Sequence, residues 1–142
     1  MNCREVMTEN PVCCLPTDTV SMAARVMRRE DVGPVPVVND EQSKQLIGIV
    51  TDRDLAVRVV AESRDPNHTR VSDVMTTTIF ACRPGDDLSS AIKAMEVHQI
   101  RRIPVVDEDG RIAGIISQGD VAVRIHERER TGALVEGISQ AA

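Results

Sequence analysis

The chain has 142 residues, of which 42% are hydrophobic and 27% charged, and a formal net charge of -5. That balance describes an ordinary globular protein able to bury a core, and the negative charge excludes broad, backbone-driven binding to DNA or RNA. With no signal peptide ahead of the first motif and no apolar run approaching a membrane span, a cytoplasmic location without membrane contact is expected.

Cys3, Cys13, Cys14 and Cys82 form no C-x-x-C pair and have no histidine at ligand spacing. Buried free thiols are therefore expected, with neither a zinc site nor a disulfide framework. Phe80 is the sole Phe, Tyr or Trp. A bound base is accordingly expected to be held by aliphatic side chains and backbone groups, without a stacking platform.

The chain is an internal repeat. Val6-Met7-Thr8 returns as Val74-Met75-Thr76, and Ala23, Met27 and Pro36 return as Ala91, Met95 and Pro104, all displaced by 68. After the loop at Asn39 to Gln45 the displacement becomes 66, so Gly48 and Asp54 correspond to Gly114 and Asp120.

Each copy opens with a short extended stretch, Pro11 to Leu15 in the first, closed by Pro16. Thr17 or Asp18 is expected to cap a helix running to about Glu30, because Val20, Ala23, Ala24 and Met27 share one helical face. Leu88, Ala91, Ile92 and Met95 repeat that spacing. Val35-Pro36-Val37-Val38 and Ile103-Pro104-Val105-Val106 follow as strands. Proline inside a short apolar run belongs on an edge, where the free backbone groups meet water or read the rim of a purine.

A polar turn then leads to Gly48-Ile49-Val50-Thr51-Asp52-Arg53-Asp54 and, in the second copy, Gly114-Ile115-Ile116-Ser117-Gln118-Gly119-Asp120. Each is a strand ending in a hydroxyl residue, with an Asp three positions on as a helix begins. The first N–H groups of that helix and the hydroxyl favour a phosphate. The Asp, which a phosphate would repel, suits a ribose diol. The same spacing is also a capping box, in which hydroxyl and carboxylate satisfy their own helix. The helix Leu55 to Ala61 is apolar around most of its circumference and is expected to be buried between neighbours. Glu62 to Arg70 is a polar connector. From Glu127 the chain is charged, and the tail, with Leu134, Val135 and Ile138, is read as a frayed helix, a partner contact or disorder.

Two copies of strand, helix, strand, strand, helix, with h-P-V-V in the middle and G-h-h-[ST]-x-x-D before the last helix, resemble a tandem CBS domain pair, the Bateman module. The resemblance spans about Val6 to Glu127. It implies an α+β fold of two copies, residues 1–66 and 67–130 with a tail at 131–142, packed about a pseudo-two-fold axis with two clefts between them. It also implies adenosine-containing ligands: AMP, ADP or ATP, with NAD and S-adenosylmethionine as alternatives. By resemblance, Asp54 and Asp120 take ribose hydroxyls, and Thr51 and Ser117 reach phosphates. Val12-Cys13, Val35-Pro36, Ile103-Pro104 and Ile79-Phe80 border the base, and Arg53 and Arg102 supply charge. The family commonly pairs two modules into a flat disc, so a homodimer is expected.

Gly33-Pro34 stands where the second copy has Arg101-Arg102, so the clefts should not bind alike. No enzyme or transporter domain accompanies the pair, which points to a regulated protein in trans. The alternative is an interaction scaffold with empty clefts. Asp in both copies favours the ligand reading, because a cap alone accepts Glu or Gln as readily. Catalysis is not expected: there is no nucleophile with a paired base and no Gly-rich nucleotide loop, and His68, His98 and His126 are scattered.

Overall fold

Val20, Ala23, Val26 and Met27 are buried along one side of helix α1 (Val20–Glu30), and Leu88, Ala91 and Met95 along α4 (Leu88–His98); of the faces expected from the spacing, Ala24 is exposed and Ile92 half-buried, and Val26 takes the buried place instead. The computed structural model describes residues 1–141, with side chains through Thr131. The remaining elements are β1 (Thr8–Glu9), β2 (Val35–Val38), β3 (Leu46–Val50), α2 (Asp52–Leu55), α3 (Val71–Val74), β4 (Arg102–Val106), β5 (Ile112–Ser117) and α5 (Gln118–Ala141). The architecture is mixed α+β. No described helix is long and apolar enough to cross a membrane.

The cap of α1 is Thr19, whose hydroxyl accepts from the Met22 N–H at 3.2 Å. Neither Thr17 nor Asp18 fills that role. Asp18 is committed one turn earlier, where its carboxylate accepts from the Leu15 N–H at 2.8 Å and closes the loop after the extended stretch. Both α1 and α4 end in a left-handed residue, Asp31 and Gln99 respectively.

In sheet terms β2 pairs antiparallel with β3, and β5 sits between β1 and β4. Pro36 faces Ile49 and Pro104 faces Ile115, the same register in both copies. The edges of β2 and β4 are not free, which corrects the sequence expectation. Cys14 donates its N–H to the Pro36 carbonyl at 2.9 Å and accepts from the Val38 N–H at 3.0 Å, and Cys82 makes the same pair of bonds with Pro104 and Val106. Each proline carbonyl thus already accepts one hydrogen bond from the extended stretch of its own copy.

The cores interleave the two copies. Cys14, Val20, Val35, Val50 and Val59 pack with Val71 and Val74 from the second copy. Cys3, at the N-terminus, packs with Cys82, Leu88, Ile103 and Ile116, with Met1, Val6 and Met7 against them. Thr76 pairs with Ile49 on β3 as Thr8 pairs with Ile115 on β5. This crossing explains Gly48 and Gly114. A Cβ at Gly48 would meet Met75 Sδ at 2.7 Å, and one at Gly114 the Thr8 carbonyl oxygen at 2.7 Å.

Leu46 donates its N–H to the Gly110 carbonyl at 3.1 Å and Ile112 donates to the Lys44 carbonyl at 3.0 Å. Lys44 and Gly110 are repeat equivalents, as are Leu46 and Ile112, so each bond is the other's image across a two-fold axis through the Gln45–Arg111 bridge.

Beyond α2 the helix widens into a π-helical turn, Ala56–Val60, in which Val59 alone is buried. Val57 is 50% and Val60 75% exposed. The expectation of a helix buried between neighbours therefore fails among the described residues, where its second apolar side is left exposed. All four thiols are free, and Cys3, Cys14 and Cys82 are buried. Burial pushes Cys14 and Cys82 up to about 12, with Asp18 adding to the effect at Cys14, so both stay neutral at ordinary pH. The tail residues Leu134, Val135 and Ile138 lie outside the described side chains, although the backbone of α5 runs on to Ala141.

Candidate functional site

The strand-to-helix junctions form closed capping boxes in both copies. Thr51 N–H donates to Asp54 Oδ2 at 3.0 Å and Asp54 N–H donates to the Thr51 hydroxyl at 3.1 Å. Ser117 and Asp120 repeat the arrangement at 3.4 Å and 3.0 Å. One carboxylate oxygen of each Asp is thereby used, and the other remains. Asp54 Oδ1 lies 3.8 Å from Arg58 Nε, and Arg58 also donates to the Val74 carbonyl at 3.0 Å. In the second copy Arg124 lies against Glu127 at 3.9 Å.

Each junction opens onto a cleft walled by the other copy. The first cleft encloses about 770 Å³. Ile49, Thr51, Asp52 and Arg53 come from the first copy, and Thr76 to Phe80, Gln99 to Arg102 and Pro104 supply residues from the second. The second cleft, about 440 Å³, sets Ser117 and Asp120 against Thr8 to Val12, Glu30 to Val32, Pro34 and Pro36. Ile115, Pro34 and Arg102 border both. The crossing of the N-terminal segments creates this arrangement, because it carries Thr76 to Phe80 past β3 and Thr8 to Val12 past β5.

Their electrostatics differ sharply. Arg53, Arg101 and Arg102 line the first cleft against one carboxylate, Asp52. Glu9, Glu30, Asp31 and Asp120 line the second against Arg102 alone. A multiply charged phosphate is favoured in the first and opposed in the second.

Of the residues singled out in the sequence, Thr51, Arg53, Arg102, Ile79, Phe80 and Pro104 meet at the first cleft, and Ser117, Asp120, Val12, Pro36 and Arg102 at the second. Asp54 is set back from the first, capping its helix, with its side chain 12% exposed. Val35 and Ile103 are fully buried in the two cores, since strand alternation turns them away from the prolines beside them. Cys13 opens onto a different hollow beside Asp18, Glu41 and Lys44. Sequence reasoning missed Asp52, Thr76 and Gln99 in one cleft and Thr8, Glu30 and Asp31 in the other. The αL helix ends at Asp31 and Gln99 have only the 68-residue displacement as a sequence signal.

Phe80, the sole Phe, Tyr or Trp of the chain, already has an aromatic neighbour within the fold. Its ring stacks on His98 with centroids 3.4 Å apart and planes 9° apart.

Paired strand–helix junctions, each facing the other copy across a pseudo-two-fold axis, define a tandem CBS domain pair. The CBS domain model matches residues 3–61 and 71–127, and the chain belongs to that family. It is 38% identical over 136 residues to the CBS domain-containing protein YhcV of Bacillus subtilis, covering 96% of this chain and 94% of that one. The crystal structure of Hypoxic Response Protein I with two coordinated zinc ions superposes with a TM-score of 0.77 at 30% identity, over 86% of this chain and 97% of that one. CBSX2 in complex with AMP superposes with a TM-score of 0.77 at 26% identity, over 90% and 98% of the two chains. Among the described residues of this chain, no three His, Cys, Asp or Glu side chains are grouped to hold a metal ion.

Proposed function

We propose that the protein is a non-catalytic regulatory module that binds an adenosine-containing ligand in its first cleft and alters a separate partner protein in response. The observation that carries this reading is the first cleft itself, where an apolar wall of Ile49, Ile79 and Ile115 meets Arg53, Arg101 and Arg102 in one hollow. Such a pairing suits a base at one end and phosphate at the other. The Thr51 hydroxyl accepts from its own helix and keeps its proton to donate to a phosphate oxygen. AMP, ADP and ATP fit this charge better than NAD or S-adenosylmethionine, whose positive centre the arginines oppose. The AMP-bound relative supports the class of ligand.

The scaffold reading keeps one specific observation: both capping boxes are closed, so hydroxyl and carboxylate already have a structural task. Calorimetric titration with AMP, ADP, ATP, NAD and S-adenosylmethionine separates the two. Saturable binding of the adenine nucleotides, weakening with salt, is expected. No heat from any of the five at millimolar concentration would leave the scaffold as the better account.

A further inference from the structure

We propose that Glu9 and Asp31, which line the second cleft and not the first, weaken phosphate binding in the first by competing for Arg102, the charged residue that the two clefts share; this rests on the reading of the first cleft as a nucleotide site. Arg102 borders both hollows, whereas Arg53 and Arg101 border the first alone. Its backbone is fixed: Arg102 faces Ser117 in the β4–β5 ladder, and the Arg101 carbonyl accepts from the Gln118 N–H at 2.9 Å. The side chain is exposed and takes no ion pair among the described residues. A long side chain anchored at its root and free at its guanidinium can serve either hollow, but not both at once.

The repeat explains why the cation is shared. Pro34 stands 68 residues before Arg102 and also borders both clefts. An arginine at each of these positions would give each cleft a cation of its own. Proline supplies none, so Arg102 meets the demand from both sides.

On the second side that demand comes from carboxylates. Glu30 is engaged by Arg29 at 3.2 Å and Asp120 by its capping box, whereas Glu9 and Asp31 take no ion pair among the described residues. Their charge draws Arg102 toward the second cleft, and a phosphate in the first draws it back. A phosphate meets its full set of arginines only in molecules with Arg102 turned to the first cleft, so the apparent affinity falls with that fraction. The coupling is reciprocal: a phosphate that captures Arg102 leaves the second cleft to its carboxylates and disfavours an anion there.

Glu9→Gln combined with Asp31→Asn removes both charges, and asparagine tolerates the left-handed backbone that Asp31 adopts at φ 53°. In calorimetry at low salt this double variant is expected to bind AMP about two- to fivefold more tightly than the parent, the scale of an exposed ion pair, and adenosine no differently. In an Arg102→Met background, which keeps an apolar stem and removes the charge, the same two changes are expected to leave AMP affinity unmoved. Tightening that survives in that background would show the carboxylates acting on the phosphate without Arg102, and would overturn the competition. So would AMP binding equally well to the parent and to the double variant. Either result leaves the nucleotide site standing, whereas a parent protein that binds no AMP would overturn both.

Discussion

Two oxygens of one carboxylate divide the work at Asp54: Oδ2 accepts from the Thr51 N–H at 3.0 Å, and Oδ1 is left beside Arg58. The hydroxyl-x-x-Asp pattern made the junction legible from sequence, since both copies show it, but cap and ligand site use the same atoms and the pattern could not separate them. Replacement by Glu does. Glutamate is the usual third-position partner in a capping box, so Asp54→Glu and Asp120→Glu keep the helix start, while the extra methylene pushes the carboxylate into the sugar position. Calorimetry should show AMP or ATP weakened roughly 10- to 150-fold by Asp54→Glu, the loss of charge-assisted hydrogen bonds worth about 1.5 to 3 kcal/mol at the first cleft, and weakened far less by Asp120→Glu, whose cleft opposes phosphate. The melting midpoints should stay within a degree or two of the parent. Undiminished binding in both variants would remove the ribose role and leave two caps. With Asp→Ala the cap is lost too, at about 1 kcal/mol, and more at Asp54, whose box closes at 3.0 Å against 3.4 Å for Asp120.

At the scale of elements, helical periodicity placed α1 and α4 correctly because most of one face of each is buried, although Ala24 of the expected face is exposed. It misjudged the helix after Asp54, because an all-round apolar pattern states that a surface will be covered without stating by what. Val57 and Val60 face outward there, and their neighbourhood in the second copy holds Val123 and Ile125, also exposed. Val57 and Val123 are repeat equivalents, so the two patches are related by the internal two-fold axis. A second copy of the chain, offering the same pair of patches, is a self-complementary cover, and we propose this as the dimer surface. Val60→Asp should therefore yield a monomer in light scattering at micromolar concentration, whereas the parent runs as a dimer. A parent of monomer mass, or a variant that still dimerises, would rule the surface out. The fold of each chain should survive, since Val60 contributes little to either core.

At the scale of the whole molecule, the repeat was readable as two copies in order, but the order of the copies is not the order of the packing. Nothing in periodicity or turn chemistry tells Val71 and Val74 to enter the first core or Cys3 to enter the second; long-range contacts decide that. The consequence is testable by cutting the chain in two ways. Residues 1–66 form one sequence copy, yet they lack Val71, Val74 and the Thr76 pairing with Ile49, and their first ten residues have lost the Asp86 and Ala113 carbonyls that accept from Cys3 and Asn10. Residues 10–77 contain every member of the first core and drop the segment that belongs elsewhere. Circular dichroism and a urea titration should find a cooperative transition in 10–77 and none in 1–66, although both fragments are of nearly equal length and so equally penalised by a small core. A cooperative 1–66 would mean that the sequence copies are the folding units, and that the crossing seen in the intact chain is reached only after each half has formed.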